Sequence, residues 1–390
     1  MDDDMPPDAT AVSLPEDVVF DILYRTPLKS VCRFQCVSKG WRHLISSPAF
    51  LAAHKSRHTE PFLVDTGRFR GNNTERPDLR LMDMDGNIVR VFQGVGGFGV
   101  LPTTSLDDLV CVNNGYWKGG PDARGSRDGV HVVDPATGEV LFTSPGHEEI
   151  KHPMHSITVT DYYRVFGIGR AAPSGVYKVV RVVHGDTCDV LTLGDDSGWR
   201  RKTRARSVPN YSLSLGSSST TINGVMYFLT DRAPASDSTL LCFDLESERW
   251  KDNTIEGPEC SKSTLSLYIT ELNGSLCMVQ DYTEVLAYQP FSYSWTDVWV
   301  LDDFDKNNWS KLYTIPMGPI GRCCVPLRML HGGEKLLVQC GTTYKKSSLA
   351  LQVYDPRTEK FSNITGEPGY LPSNIALCNL HLERLVSIKS

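Results

Sequence analysis

The chain has 390 residues, 40% of them hydrophobic, and a formal net charge of −6, which fits a soluble globular protein with room for two or three domains. No apolar run approaches the roughly 18–20 residues that a membrane-spanning helix needs, and the acidic balance argues against a general nucleic-acid binder. We therefore expect neither a membrane nor a nucleic acid among its partners.

The first residues, MDDDMPPDAT, are acidic and contain no apolar segment. They do not read as a secretory signal, and we predict a disordered acidic tail over 1–12. Without a signal, the 11 cysteines are expected to be reduced and mostly buried. The expected location is the cytoplasm, the nucleus or both.

Residues 13–58 have the pattern of a small helical domain. Pro15 suits the first turn of a helix, and Pro27 ends that helix. Ser38 is a predicted N-cap for a third helix, and Ser47-Pro48 supplies a cap and a first-turn proline for a fourth that ends near Arg57. The first helix presents an apolar face made of Val18, Val19, Ile22 and Leu23.

The second helix is predicted over 28–36 and contains two cysteines, Cys32 and Cys36, on one face. No histidine or carboxylate pair lies at zinc-finger spacing, so we interpret both as small core residues. A DNA-reading helix pair is disfavoured because Trp41 shares the third helix with the basic side chains. So small a bundle has more apolar side chains than it can bury, and a partner is expected to cover the surplus.

This segment closely resembles the plant form of the F-box. The matching motifs are LPED at 14–17, IL at 22–23, PLKS at 27–30, RF at 33–34 and CVSK at 36–39, followed by Trp41 and Ile45. Thr26 departs from the pattern, since the family usually has leucine there, and this puts one apolar contact in doubt. The resemblance implies docking on the Skp adaptor of an SKP–cullin–F-box (SCF) ubiquitin ligase, and through it on cullin and RING-box protein.

The resemblance also implies roles for individual side chains. The predicted adaptor-binding residues are Leu14, Pro15, Ile22, Leu28 and Val31. The predicted residues of the F-box core, or of its junction with the adaptor, are Leu23, Phe34, Val37, Trp41 and Ile45.

The remainder, 59–390, reads as a large all-β domain in which short apolar runs alternate with turn residues. A repeated hairpin can be followed by its aspartates, which are Asp85, Asp134, Asp195, Asp244, Asp302 and Asp355. They are separated by 49, 61, 49, 58 and 53 residues, a period typical of propeller blades with two hairpins each. We predict six blades, with seven as the alternative, and inner hairpins turning at Asn223-Gly224 and Asn273-Gly274.

This region resembles the F-box-associated domain of plant F-box proteins. The motifs that carry the resemblance are YKVVR from Tyr177, the segment 188–199, the strand at Asn223-Gly224, ELNGSL from Glu271 and WVL from Trp299. The fold class expected for the whole chain is thus a small all-α, three-helix F-box followed by a β-propeller-like domain that binds the substrate.

Four short segments were weighed for chemistry. GVGGFGV at 94–100 lacks the Lys-Ser/Thr of a phosphate loop, and DDFDKNN at 302–308 lacks the glycine and the glutamate of a calcium loop. Pro153 prevents the histidines of 147–155 from aligning as metal ligands on a helix. The fourth segment is a basic patch, which could be a solvated strand, a nuclear-import signal or a docking face for an acidic target; it comprises Arg200, Arg201, Lys202, Arg204 and Arg206.

The sequence thus predicts a non-catalytic ligase subunit that recruits a protein substrate and needs no cofactor or metal. Candidate substrate contacts are the aromatic residues Tyr116, Trp117, Tyr282, Tyr288 and Trp295, although blade packing explains each of them equally well. Two alternatives stay open: an adaptor-binding scaffold without a role in degradation, and a propeller that binds a ligand or acts as an enzyme.

Overall fold

A computed structural model gives the fold. It describes residues 14–26, 28–57, 61–66, 77–97, 99–100, 109–113, 130–143, 165–184, 187–203, 219–230, 238–259, 264–285, 292–318, 322–330, 333–342, 345–364 and 375–378. These residues form two compact units, helices before Pro61 and strands from Phe62 onward. The predicted tail over 1–12 lies outside the described residues, and the predicted domain boundaries stay predictions.

The first unit has four helices, which are α1 (Glu16–Tyr24), α2 (Leu28–Phe34), α3 (Lys39–Ile45) and α4 (Pro48–Arg57). Two predicted caps are confirmed. Ser38 Oγ accepts a hydrogen bond from the Trp41 amide at 3.1 Å, and Ser47 Oγ accepts one from the Phe50 amide at 3.3 Å. Each cap satisfies a backbone donor that the first helical turn leaves free. Helix α2 ends two residues earlier than predicted.

The core of this unit is formed by fully or nearly fully buried apolar side chains. They are Val19, Leu23, Val31, Leu44, Ile45 and Phe50. Phe34 and Trp41 pack at its margin in an edge-to-face pair with ring centroids 5.5 Å apart. Cys32 is half-buried against this core, but Cys36 lies in the turn after α2 and is exposed, so its prediction as a core residue was wrong.

Six antiparallel sheets make the second unit, one per blade. Blade 1 has β1 (Phe62–Thr66), β2 (Leu79–Met82) and β3 (Ile88–Phe92), and blade 2 has β4 (Gly99–Val100), β5 (Val110–Asn113), β6 (Val130–Val133) and β7 (Val140–Thr143). Blade 3 has β8 (Val165–Arg170), β9 (Tyr177–His184), β10 (Thr187–Thr192) and β11 (Arg200–Thr203). Blade 4 has β12 (Ser219–Ile222), β13 (Val225–Leu229), β14 (Thr239–Asp244), β15 (Arg249–Trp250) and β16 (Ile255–Glu256).

The last two blades have the longest strands. Blade 5 has β17 (Thr264–Leu272), β18 (Ser275–Val285), β19 (Ser292–Asp303) and β20 (Asn308–Gly318). Blade 6 has β21 (Arg322–Leu330), β22 (Lys335–Thr342), β23 (Lys345–Asp355) and β24 (Lys360–Asn363), and the chain continues to β25 (Ile375–Cys378). Strands of 11 or 12 residues in blade 5 extend further than the four to six residues usual in blades 1–4.

The propeller is closed by its two ends. Strand β25 pairs with β1, so the order in blade 1 is β25-β1-β2-β3. The C-terminal strand therefore takes the place that β8, β12, β17 and β21 occupy as first strands of their own blades. First strands of neighbouring blades contact one another, as β12 does β8 and β17. Closure by strand pairing leaves the described part of the ring with no missing inner strand.

The hairpin repeat read from the sequence is the outer hairpin of each blade. All six aspartate anchors lie in or beside the connection between the third and fourth strands of a sheet, which confirms six blades. Most of them accept a backbone amide, as Asp134 Oδ1 does from Ala136 at 2.8 Å. In blades 1 and 5 the neighbouring Asp83 and Asp303 do so instead of the predicted Asp85 and Asp302.

The predicted inner hairpins are also confirmed. Ile222 pairs with Val225 around Asn223-Gly224, and both turn residues have positive φ, 50° and 79°. Asn273 and Gly274 repeat this geometry, with φ of 52° and 80°. Two consecutive positive-φ residues make the turn whose twist matches antiparallel strands, and asparagine and glycine tolerate it best.

Two of the segments weighed for chemistry are structural. In GVGGFGV, a Cβ placed on Gly96 would come within 2.6 Å of the Pro77 carbonyl oxygen, so the glycine permits close backbone packing. DDFDKNN forms the β19–β20 turn, as the sequence predicts. The histidine-rich segment 147–155 lies outside the described residues.

Candidate functional site

The helical unit exposes large apolar side chains. Leu14 is 53% exposed, Ile22 is 48% exposed and Val37 is 60% exposed, and Val18 is exposed as well. Single exposed apolar residues are common, but four among some forty residues of a small bundle are an excess. These four residues form what we call the exposed apolar set, and they are the candidate docking residues of this unit.

Helix periodicity explains why α1 is apolar both inside and outside. Val18 and Ile22 are four residues apart and share one stripe, and Val19 and Leu23 share the next stripe. The second stripe is buried in the core, and the first is not. The sequence shows one broad apolar face, and only packing against α4 and the rest of the bundle decides which half is covered.

The predicted adaptor-binding residues differ in their exposure. Leu14, Pro15 and Ile22 are exposed, as adaptor-binding residues must be. Val31 is fully buried in the core of the bundle, so its assignment to the adaptor-facing surface was wrong. Because Val31 contacts the bundle core, replacing it would change the fold of the unit before it changed a docking surface.

The predicted F-box core divides as well. Leu23 and Ile45 are fully buried, and Phe34 and Trp41 are partly buried against them. Val37 is exposed and follows α2 in a turn, so it is not part of the core and fits only the alternative of a junction with the adaptor. The side chain of Leu28 lies outside the described residues.

Thr26, the one departure from the F-box pattern, has a local role. Its hydroxyl donates to the carbonyl oxygen of Ile22 at 2.7 Å. That carbonyl belongs to the last turn of α1, where backbone acceptors lack helical partners. Threonine thus replaces the expected apolar contact with a hydrogen bond that closes the helix end.

The aromatic residues predicted as substrate contacts are arranged differently from the prediction. Tyr282 and Trp295 are on strands, not loops: they pair across β18 and β19 and stack with ring centroids 5.2 Å apart. Tyr282 is buried, so it was wrongly placed among accessible contacts. Trp295 is half-buried, and the neighbouring Tyr293, which the sequence reading missed, is exposed with its ring 6.1 Å from that of Trp295. Tyr116, Trp117 and Tyr288 lie outside the described residues.

A buried hydrogen-bonded network lies on the same two strands and includes Tyr282. Gln280 Oε1 accepts from the Tyr282 hydroxyl and from Trp299 Nε1, the latter at 3.0 Å. Gln280 Nε2 donates to the carbonyl oxygen of Pro258 at 3.3 Å. A buried network with these partners holds its members in one arrangement. Blade 5 therefore presents Trp295 and Tyr293 from a rigid strand pair.

The described members of the basic patch form ion pairs with carboxylates. Lys202 Nζ lies 2.8 Å from Glu248 Oε2, and Arg200 forms a two-pronged contact with the same carboxylate. Arg201 Nε lies 3.0 Å from Asp189 Oδ1. Each described member thus has an acidic partner, but Glu248 is one carboxylate shared by more than one cation, so the hypotheses of an import signal or a docking face for an acidic target stay predictions. Arg204 and Arg206 lie outside the described residues.

Glu248 is the centre of this cluster. Besides Arg200 and Lys202 it receives Lys178, whose Nζ lies 3.0 Å from Oε1. Burial acts to raise the pKa of Glu248, but the hydrogen bonds from Arg200, Lys202 and Lys178 outweigh it and hold that pKa at about 2. Glu248 belongs to blade 4 and its three cations to blade 3, so the cluster joins two blades.

Two buried carboxyl groups were not anticipated from the sequence. Burial raises the pKa of Asp65, on β1, to about 7, with Arg80 opposing the shift. Burial also raises the pKa of Asp281, on β18, to about 6, although Ser266 and Thr296 each donate to it at 2.6 Å. Perturbed carboxyls can mark catalytic sites, but these two belong to different blades and do not form an acid–base pair.

Replacing Asp65 with asparagine is expected to stabilise the propeller at pH 8. The carboxyl ionises near 3.8 in the unfolded chain and near 7 in the folded one, so the native protein loses stability as pH rises across that interval. The gain has an upper bound of about 4 kcal/mol, since each pKa unit corresponds to about 1.4 kcal/mol. Urea denaturation should show that the variant has a higher free energy of unfolding than the wild type at pH 8, and that this difference is smaller at pH 4.5.

The matched control is Asp85→Asn in the exposed turn of the same blade. Equal pH profiles for the two variants would contradict burial of Asp65 as the cause.

In the described part of the chain, no group of three or more histidine, cysteine, aspartate and glutamate side chains is placed to hold a metal ion. No helix there has the length and apolar character to cross a membrane.

Comparisons with known proteins give matches for both units. A family model of the F-box domain matches residues 12–52, and a model of the F-box associated beta propeller domain matches residues 169–373, more than half of the chain. F-box protein At3g07870 of Arabidopsis thaliana is 25% identical over 409 residues, covering 90% of this chain and 87% of that protein. Putative F-box protein At3g52320 of the same plant is 28% identical over 352 residues, covering 83% and 77%.

The matches to solved structures are remote. A chain of Kuenenia stuttgartiensis hydrazine synthase aligns with 78% of this chain and 84% of its own, at 11% identity and a TM-score of 0.41. The family match begins in blade 3, and the structure adds blades 1 and 2 before it.

Proposed function

This chain belongs to the F-box proteins that carry an F-box-associated β-propeller, and from that membership we propose that it is the substrate-recognition subunit of an SCF ubiquitin ligase. In this proposal the helical unit docks on a Skp adaptor and, through it, on cullin and RING-box protein. The propeller binds a target protein. The proposed site of action is the cytoplasm or the nucleus.

The observation that carries the proposal is the exposed apolar set of the helical unit. Leu14, Val18 and Ile22 occupy the start of the unit and the outer stripe of α1, and they remain exposed although the core beside them is well filled. Burial of apolar side chains lowers the free energy, and these side chains can be buried only by contact with another surface. Membership of the F-box family supports a Skp-type adaptor as that surface.

The proposed target surface is on the propeller, at the end of blade 5 where β18 and β19 approach their connection. There Tyr293 offers an exposed ring and Trp295 a half-exposed one, both held by the packing beneath them. Rigid aromatic side chains contribute contact area at low entropic cost, which is why they are enriched at protein interfaces. This placement supports blade 5 as a contact and leaves the target's identity open.

The proposed contribution of this subunit to ubiquitin transfer is proximity. A receptor that holds a target beside a ubiquitin-charged enzyme converts a bimolecular encounter into an intramolecular one. This role requires two binding surfaces on one chain and does not require catalytic side chains. The match of one domain family to each unit supports that division.

Target turnover tests the proposal against the scaffold alternative. Cells expressing the wild-type chain are compared with cells expressing Leu14→Asp/Ile22→Asp, with protein half-lives measured after synthesis is blocked. We expect at least one propeller-bound protein to have a longer half-life with the variant, because it is captured but not presented to the ligase. Leu141→Asp, an exposed apolar position on β7, is the matched control.

If every captured protein has the same half-life with both chains while the wild type still binds the adaptor, the scaffold alternative is correct. If the wild type binds no adaptor, the ligase proposal is wrong at its first step.

A further inference from the structure

Two buried cysteines oppose each other in blade 6. Cys324 on β21 and Cys340 on β22 are direct cross-strand partners, and their sulfur atoms are 3.6 Å apart. Both side chains are buried, and both belong to the core cluster that blade 6 shares with blade 5. The two cysteines are 16 residues apart in the chain, and strand pairing brings them together.

Two backbone observations define the type of strand pair. The amide of Cys324 points away from β22, toward Asp281 Oδ1 at 3.5 Å. Pro326, two residues along and paired with Val338, has no amide hydrogen to give to β22. Both facts place Cys324 and Cys340 at a non-hydrogen-bonded site, where the Cα atoms are about 4.5 Å apart and the side chains approach most closely.

That site meets the geometric requirement for a disulfide. Disulfide-bonded cysteines usually have Cα atoms about 4.4–6.8 Å apart, and the bond itself is about 2.0 Å long. The two sulfur atoms must approach by roughly 1.6 Å, which side-chain rotation can supply without a change of strand register. Neither cysteine is in a disulfide in this structure, and the two strands pair without the bond.

We propose that Cys324 and Cys340 form a reversible, oxidant-dependent disulfide, which makes blade 6 a redox modification site. The inference rests on the geometry of β21 and β22 and does not depend on the proposed ligase function. The oxidant class is a hydroperoxide, of which hydrogen peroxide is the smallest and best able to enter a buried site.

The chemistry proceeds in two steps. Cys340, the slightly more exposed of the two, attacks one oxygen of hydrogen peroxide as a thiolate; the O–O bond breaks, the leaving hydroxide takes the proton that the Cys340 thiol gave up and departs as water, and Cys340 becomes a sulfenic acid. The Cys324 thiolate then attacks the Cys340 sulfur, the S–S bond forms and the S–O bond breaks, and the leaving hydroxide takes the proton of the Cys324 thiol and departs as a second water. Two thiols lose two electrons and two protons in total, and one peroxide is reduced to two waters.

The disulfide would also affect the contact between blade 6 and blade 5. Ser266 and Thr296 of blade 5 donate to the same Asp281 that accepts the Cys324 amide. A change in the position of Cys324 therefore acts on a buried carboxyl that three elements hold in place. Oxidation thus links the first two strands of blade 6 and adjusts the contact between blades 5 and 6.

Peptide mapping of the full-length protein tests the proposal. The protein is treated with hydrogen peroxide, its free thiols are blocked with iodoacetamide, and it is digested with trypsin without reduction. Cleavage after Arg322, Arg328, Lys335 and Lys345 puts the two cysteines in separate peptides, 323–328 and 336–345. We expect these peptides to appear linked, at a mass two hydrogens below the sum of 323–328 with Cys323 alkylated and unmodified 336–345, and to separate after dithiothreitol.

The neighbouring cysteine supplies the matched control, because peptide 323–328 also contains Cys323, whose cross-strand partner is Gly341. Cys324→Ala and Cys340→Ala should each abolish the link, and Cys323→Ala should leave it at the wild-type level. The proposal is wrong if the wild type yields only separately blocked peptides. It is equally wrong if the link depends on Cys323, or if it joins Cys277 of the same core to either peptide.

Discussion

Replacing Leu14 and Ile22 together with aspartate is expected to abolish co-purification of the chain with a Skp adaptor. Both side chains are about half exposed, so neither change opens a cavity in the helical core. Central apolar anchors of an interface contribute about 2 kcal/mol or more each. Losing two of them corresponds to about a thousandfold weaker binding. The measurement is co-expression and pull-down, followed by titration calorimetry of the purified proteins.

The control for this experiment is a change of the same kind at a matched exposure elsewhere. Leu141, on β7 of the propeller, is 45% exposed, and Leu141→Asp should leave adaptor binding unchanged. Circular dichroism of the helical signal checks that the double variant folds. Adaptor binding within a factor of three of the wild type by a folded double variant would remove the exposed apolar set from the docking surface.

Replacing Glu248 with glutamine is expected to lower the free energy of unfolding by about 3 kcal/mol at pH 7. The side chain is 12% exposed and binds three cations, one of which, Lys178, is itself nearly buried. Glutamine keeps the size of the side chain but removes the carboxylate that the three cations share, and within the described part of the chain only Arg200 retains another acidic partner, Asp195 at 3.5 Å. Urea denaturation followed by tryptophan fluorescence measures the change.

The pH dependence of this effect has a definite sign. The pKa of Glu248 is about 2 in the folded protein and 4.5 in the unfolded chain, so its contribution is fully present above about pH 4.5. It is lost as the pH falls from there toward about 2. The difference between wild type and Glu248→Gln should therefore be constant from pH 7 to pH 5 and shrink below that.

Glu246, two residues away in the same turn, is the matched control. It is exposed, and its carboxylate accepts hydrogen bonds from the amide and hydroxyl of Ser174, so Glu246→Gln should cost well under 1 kcal/mol. If the two glutamine variants lose the same stability, the three-cation cluster does not hold blades 3 and 4 together.

Local signals in the sequence located most of the framework. Ser38 and Ser47 cap helices because a hydroxyl next to a free amide needs no distant partner. Asn223-Gly224 and Asn273-Gly274 turn where the sequence places them, because positive φ is a property of the residues in the turn. The six aspartate anchors gave the blade count for the same reason, even though Asp83 and Asp303 replace two of them as the bonded residue.

Contacts between residues far apart in the chain decide which side chains are buried and which charges pair. Val18 and Val19 are equally apolar, and only the packing of the bundle covers one and exposes the other. The sequence leaves open what Arg200 does, because its partner Glu248 lies 48 residues further along the chain. Val31 was assigned from a motif to the docking surface, and the surrounding helices put it in the core.

The helical F-box segment, the repeated β-hairpin and the six blades follow from the amino-acid sequence. Each of these depends on residues close together in the chain, through caps, turns and periodicity. Which apolar residues remain exposed, which charges pair, and that Cys324 faces Cys340 follow only from the folded arrangement. These depend on burial and on partners brought together by strand pairing and blade contact, and distance along the chain does not specify them.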